Sequence, residues 1–130
     1  MSSPALRQRY LADSVTTATP GRLLVMLYDR LCLDLSRGAE ALDAADRETA
    51  SGLLLHAQDI LLELQGSLRQ EAWDGGKELA GLYAYLLAEL MRANLKQDAA
   101  TVRAALAVVE PLRDAWREAV EALPAANGPM

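Results

Sequence analysis

The 130-residue sequence has no phenylalanine, one cysteine and one histidine. A single thiol, Cys32, cannot close an intramolecular bridge, so disulfides contribute nothing to this fold. A chain of this length buries roughly two-thirds of the surface its unfolded form exposes and needs neither bridge nor metal to fold. One histidine, His56, also excludes most acid–base machinery. It would have to be the base of any hydrolytic triad, and no nucleophile elbow stands near it. A di-metal carboxylate bundle needs a Glu three residues before each of two histidines, and Leu53 occupies that place. There is no GxGxxG, no GxxxxGK[ST] and no CxxC, and the pair Gly75-Gly76 follows no strand.

Two further shortages narrow the class. Thirteen basic residues stand against eighteen acidic ones, a net charge of −5, and the basic ones are scattered, which disfavours nucleic acid as a partner. Strictly apolar runs such as Leu23 to Leu27 are far short of the roughly 20 residues that span a bilayer. The opening MSSPALRQRYLADS has no apolar core of a secretory signal, so the expected compartment is the cytoplasm, with no membrane insertion and no cofactor or metal.

What remains is apolar material, 52% of the chain, arranged with a helical period. Thr19-Pro20 reads as a cap and first helical residue. Leu24, Leu27, Leu31, Leu35, Gly38 and Leu42 form the first stripe; Leu54, Ala57, Leu61, Leu64 and Leu68, widened by Leu53 and Ile60, the second. Leu79, Tyr83, Leu86, Leu90 and Ala93 form the third, flanked by Leu82 and Leu87. Asp98 is placed to cap the fourth, Val102, Ala105, Val109, Leu112, Trp116, Ala119 and Leu123. Pro111 falls inside that stripe and predicts a kink, or two shorter helices meeting at Glu110. Period-two alternation is absent. The spacing therefore predicts an all-α, antiparallel up-and-down four-helix bundle over 19–123, between an N-terminal covering segment, 1–18, and a flexible tail, 124–130.

A bundle without an active site works through its surface. The segment Tyr10 to Ala18 holds too few apolar residues for a core and too many for a solvated tail, which suits a stretch lying on the bundle as a displaceable stand-in for a partner.

The string Tyr10-Leu-Ala-Asp-Ser-Val-Thr-Thr-Ala-Thr-Pro20, followed by Leu23-Leu-Val-Met-Leu-Tyr28-Asp29, resembles the opening of the flagellar secretion chaperone FliS family. Leu79-Ala-Gly-Leu-Tyr83-Ala-Tyr85, Leu90-Met-Arg-Ala-Asn94 and Leu112-Arg-Asp-Ala-Trp116 follow that family's pattern in the same order, over about residues 10 to 120. Asp13 stands where the family usually has Asn, and Arg30 where it usually has a small residue.

The resemblance implies an ATP-independent cytoplasmic chaperone, not an enzyme. It would bind the C-terminal region of flagellin, prevent premature polymerisation, keep its cargo competent for type III secretion and help deliver it to the export gate. Tyr10 is carried over from the family's opening motif as a residue of the covering segment, with Val15 beside it. Leu27, Tyr28, Leu82, Tyr83 and Leu86 are groove candidates, although residues at this spacing are more often plain core, and Trp116 reads as core. Cys32 reads as a small buried hydrophobe. The competing function is a histidine phosphotransfer bundle using His56. Asp59 and Ile60 stand where such domains have Lys and Gly, and an acidic neighbour repels phosphate.

Overall fold

A computed structural model describes residues 19–72 and 74–123. The expectations for the covering segment, the tail and Trp73 lie outside them. Four helices follow in order: α1 (Pro20–Asp43), α2 (Arg47–Ser67), α3 (Gly76–Lys96) and α4 (Ala99–Glu121). A short 3₁₀ turn, Gln70–Ala72, precedes α3. Their starts follow from local chemistry. The Thr19 hydroxyl accepts from the Arg22 N–H at 3.2 Å, with Pro20 in the first turn where its missing donor costs nothing. Asp98 caps α4 by accepting from both the N–H and the hydroxyl of Thr101. Asp46 caps α2 through the Thr49 N–H, a start hidden in the polar run between the first two stripes. These hydrogen bonds hold the Asp46 and Asp98 carboxyls below the usual carboxylate range.

Each helix packs on its neighbours in a closed ring, α1 on α2, α2 on α3, α3 on α4 and α4 back on α1. Connections of three residues (44–46) and two (97–98) allow only antiparallel neighbours, and Gln97 takes a left-handed conformation, φ 55°, to turn the chain. The shared core holds Leu31, Leu35, Leu54, Leu61, Leu64, Leu86, Leu90, Val102 and Val109 among others, with Leu24, Leu27, Leu42, Leu68, Leu82, Leu112 and Trp116 packed at its edge. All four stripes are therefore core faces. The inward reading of Trp116 holds, while Ala119 and Leu123 at the end of the fourth stripe are exposed. Cys32 is buried, and burial raises its thiol pKa.

Of the two expectations at Pro111, the split helix is not what forms: α4 runs through it as one element. Pro111 and Ala107, whose carbonyl loses its donor, both lie at exposed positions. Water can satisfy that carbonyl on the solvent side, which keeps the cost of an internal proline tolerable. At Gly76 a side chain has no room, because a Cβ there would run into the Gln70 backbone; the glycine lets the 3₁₀ turn close onto the start of α3.

Candidate functional site

The structure separates the groove candidates by burial. Tyr28, Tyr83 and Leu86 lie within the core, at most 2% exposed, whereas Leu27 and Leu82 pack at its edge and keep partial access to solvent. Tyr10 and Val15 fall outside the described residues. The Tyr28 and Tyr83 hydroxyls meet 2.6 Å apart between α1 and α3, and Trp116 adds a second hydrogen bond to Tyr28. Burial raises both phenol pKa values well above the usual tyrosine range. Tyr83 and Trp116 also line a cavity of about 270 Å³ at the end where α1 starts, together with Leu24, Leu64, Ser67, Leu68, Arg69 and Leu79.

Because the buried phenols resist ionisation while unfolded tyrosines titrate near pH 10, the unfolded chain loses protons first as pH rises. The stabilisation is thus complete below about pH 10 and falls away above it. The Tyr28→Phe/Tyr83→Phe double variant is expected to flatten that alkaline decline, read from urea midpoints between neutral pH and pH 11. Either single variant leaves a buried hydroxyl with one partner fewer and costs about 1–3 kcal/mol at neutral pH.

The seams between helices differ in kind. Across α1 and α4 the surface is tied by charge: Arg117 lies 2.5 Å from Asp29, Arg113 lies 3.8 Å from the same carboxylate, and Arg103 grips Asp43. Between α1 and α2 an ionic cluster reaches into the interior. Asp34 is fully buried, the one buried charged side chain among the described residues. His56 Nδ1 from α2 is hydrogen-bonded to its Oδ2. Arg30 Nε lies 3.2 Å from Oδ1, one turn away on α1, at an angle that makes an ion pair without a directed hydrogen bond. Arg30, where the resemblance expected a small residue, thus has a partner inside the molecule.

The outer face of α2 and α3 has no such ties. One polar contact crosses it near its end, Asn94 Nδ2 donating to Ser51 Oγ at 3.4 Å. From Leu79 to Ala88 the chain carries no charge. Ala84, Met91 and Leu95, at spacings of seven and four, are exposed along one row, with the partly buried Leu87 packed at the core's edge between them. Met91 is 55% exposed and Leu95 86%. Leu55 and Leu62, seven residues apart on α2 and about half exposed, share a row beside it. The Asn94–Ser51 register sets Leu55 about level with Met91 and Leu62 about level with Ala84, so exposed apolar side chains of both helices flank the seam. Clusters of exposed large apolar side chains mark docking sites for other chains. Only acids, Glu48, Asp59 and Glu63, punctuate α2 between Arg47 and Arg69 apart from His56, while Lys77, Arg92 and Lys96 are exposed along α3.

None of Leu55, Leu62, Met91 and Leu95 is among the groove candidates that the sequence offers, Leu27, Tyr28, Leu82, Tyr83 and Leu86. The signal was present: α3 carries two apolar rows where one suffices to reach the bundle interior. Among the described residues no group of His, Cys, Asp and Glu could hold a metal ion, and no helix is long and apolar enough to cross a membrane.

Comparison with known proteins points one way. The family model described as flagellar protein FliS matches residues 2–123. The flagellar secretion chaperone FliS of Bacillus subtilis is 32% identical over 112 residues, covering 86% of this chain and 84% of that one. Its namesake in Escherichia coli is 28% identical over 118 residues, covering 89% and 87%. In solved structures the fold recurs in a bacterial flagellar chaperone, with a TM-score of 0.73 and 22% identity over 90% of this chain and 96% of that one.

Proposed function

This chain belongs to the FliS family of flagellar secretion chaperones, and from that premise we propose that it holds the C-terminal region of flagellin in the bacterial cytosol until type III export. It is a chaperone and not an enzyme. The observation that supports the cargo reading is the apolar α2–α3 surface with Leu55, Leu62, Met91 and Leu95 exposed. A chain segment that becomes helical only on assembly has an apolar face with nowhere to go beforehand, and such a surface covers it without ATP. The segment pays several kcal/mol to become ordered, so a long contact is required. Helices of 21 residues on both sides offer about 30 Å of it.

On this reading residues 1–18 act as the removable cover, with Tyr10 and Val15 as its contact residues. Thr19 enters α1 about one turn from Leu24, which lines the end cavity, so the cover is tethered at that cavity's mouth. Leu27 on α1 and Leu82 on α3, at the partly exposed edge of the core, are further candidate contacts, and the buried Tyr28, Tyr83 and Leu86 support the helices that carry them. The loaded complex is then what the export gate receives.

Titration calorimetry with a flagellin C-terminal peptide is expected to give one-to-one binding. Leu62→Glu and Met91→Glu should each weaken it about tenfold or more, since a charge placed on a buried apolar contact costs over 1 kcal/mol. No heat and no mobility shift at micromolar concentrations would sink the proposal. A truncation lacking residues 1–18 should bind the peptide at least as well as the full chain; clear loss would move Tyr10 from cover to cargo contact.

Phosphotransfer through His56 is not supported. Its Nδ1 is occupied by a buried carboxylate, and the family match leads to chaperones.

A further inference from the structure

We propose that residues 1–18 seat as an extended segment in the outer seam between α1 and α4, running back from Thr19 alongside α1 with Val15, Asp13, Leu11 and Arg9 turned into it. The seam is tied by ion pairs without being filled. Near the start of α1 a cavity of about 310 Å³ lies among Val25, Met26 and Val120. Further along, a second of about 250 Å³ is bounded by Ala39, Leu106, Glu40 and Glu110. Between them Arg113 and Arg117 share the single carboxylate of Asp29, with Arg113 also reaching Asp114. Neither Glu40 nor Glu110 makes an ion pair among the described residues. Followed along α1, the seam therefore offers an apolar hollow, a pair of guanidiniums, a second apolar hollow and two unpaired acids.

The segment that leads into Thr19 carries the complementary order. Thr19 itself is extended, φ −68° and ψ 159°, and Val15-Thr16-Thr17 favour that conformation. Side chains of an extended chain alternate, so Val15, Asp13, Leu11 and Arg9 share one face: apolar, acidic, apolar, basic. The other face, Thr16, Ser14, Ala12 and Tyr10, has no charge. Distances agree as well. An extended chain advances about 3.3 Å per residue and a helix about 1.5 Å, so Val15, about 13 Å from Thr19, comes level with the first cavity and Asp13, about 20 Å away, with Arg113. Leu11 and Arg9, about 26 and 33 Å away, reach the second cavity and its acids. Of the cover's two contact residues this seats Val15 and turns Tyr10 toward solvent. Tethering holds the segment at millimolar effective concentration, so contacts too weak for a free peptide suffice. A chain that displaces it must present the same alternating order. The seat rests on residues 1–18 being the cover described above, and not on what the cargo is.

Hydrogen exchange of the full chain at low salt, read by mass spectrometry, tests the seat. Residues 9–16 are expected to exchange several-fold more slowly than a free peptide of the same sequence. Glu40→Lys with Glu110→Lys should remove most of that protection, and adding Arg9→Glu should restore it. Disulfide formation then fixes the face. In a Cys32→Ala background, Val15→Cys with Met26→Cys should oxidise to a bridge, and Val15→Cys with Met91→Cys should not. Exchange as fast as in the free peptide overturns the cover and the seat together. Protection accompanied by a bridge in the Met91→Cys pair overturns the seat and keeps the cover. Protection indifferent to the acid reversals, reversals that Arg9→Glu fails to rescue, or protection that fades on dilution because a second copy supplies the segment, each overturns the seat. All of these are measured without peptide, so absence of flagellin binding in the titration above is a separate failure that leaves the seat in place.

Discussion

Alanine at both Arg30 and His56 is expected to cost the bundle about 3–5 kcal/mol of unfolding free energy, a large part of what a domain of this size has. The physical reason is an asymmetry of solvation. Asp34 is fully buried, whereas the side chains of Arg30 and His56 are about half exposed. Removing the two partners strands a carboxylate in the interior with nothing to replace the water it gave up. Removing the carboxylate strands nothing, because both partners turn to solvent. Asp34→Leu, which exchanges the ion for apolar volume between Leu31 and Leu35, should therefore be near neutral or mildly stabilising. Urea denaturation at neutral pH measures both variants. Equal losses for the double alanine variant and for Asp34→Leu would show that the cluster acts through packing alone.

Leu54→Ala carries the other large effect, about 2–5 kcal/mol. Leu54 is fully buried and fills the space opposite Gly38, where a built Cβ would sit 3.1 Å from its terminal methyl. Gly38 is thus the notch that admits Leu54 at the α1–α2 crossing. In the otherwise unchanged chain, Gly38→Ala gains about 1 kcal/mol of helix propensity and loses a similar amount to crowding, so its net effect should be small. In the Leu54→Ala background the crowding is gone and the new methyl fills part of the cavity. There Gly38→Ala should recover about 1 kcal/mol or more. Thermal or urea midpoints of the four proteins form a double-mutant cycle, and additive losses would mean the two residues do not share that space.

These two sites also show what was legible beforehand and what was not. The Leu54–Gly38 contact lies on two stripes that spacing alone assigns to facing helices, and only its closeness is new. Asp34 was passed over, although it sits between Leu31, Leu35 and Gly38, where half of each turn faces the core. An acidic residue there is expected to point outward unless a partner meets it, and the partner stands 22 residues away on another helix. His56, about half exposed, is that partner. Tyr28 and Tyr83 likewise stand at a spacing open to both groove and core. Their hydroxyls bonding to each other across 55 residues of sequence placed them inside, because a buried phenol needs a hydrogen-bond partner that only the fold can bring.

The sequence by itself determined the helix number, the capped starts at Thr19 and Asp98, the four inward stripes and, through its motifs, the family. All of these are local, since they depend on residues within a few turns of one another. Tertiary structure decided which charges are spent inside the molecule and which apolar rows are left over. α1 and α4 meet with opposite charges aligned and seal their seam. α2 and α3 meet with one weak polar contact between apolar flanks. Whether a leucine at helical spacing is core or docking surface depends on how many neighbours its helix has to cover it, and in a ring of four each helix has only two.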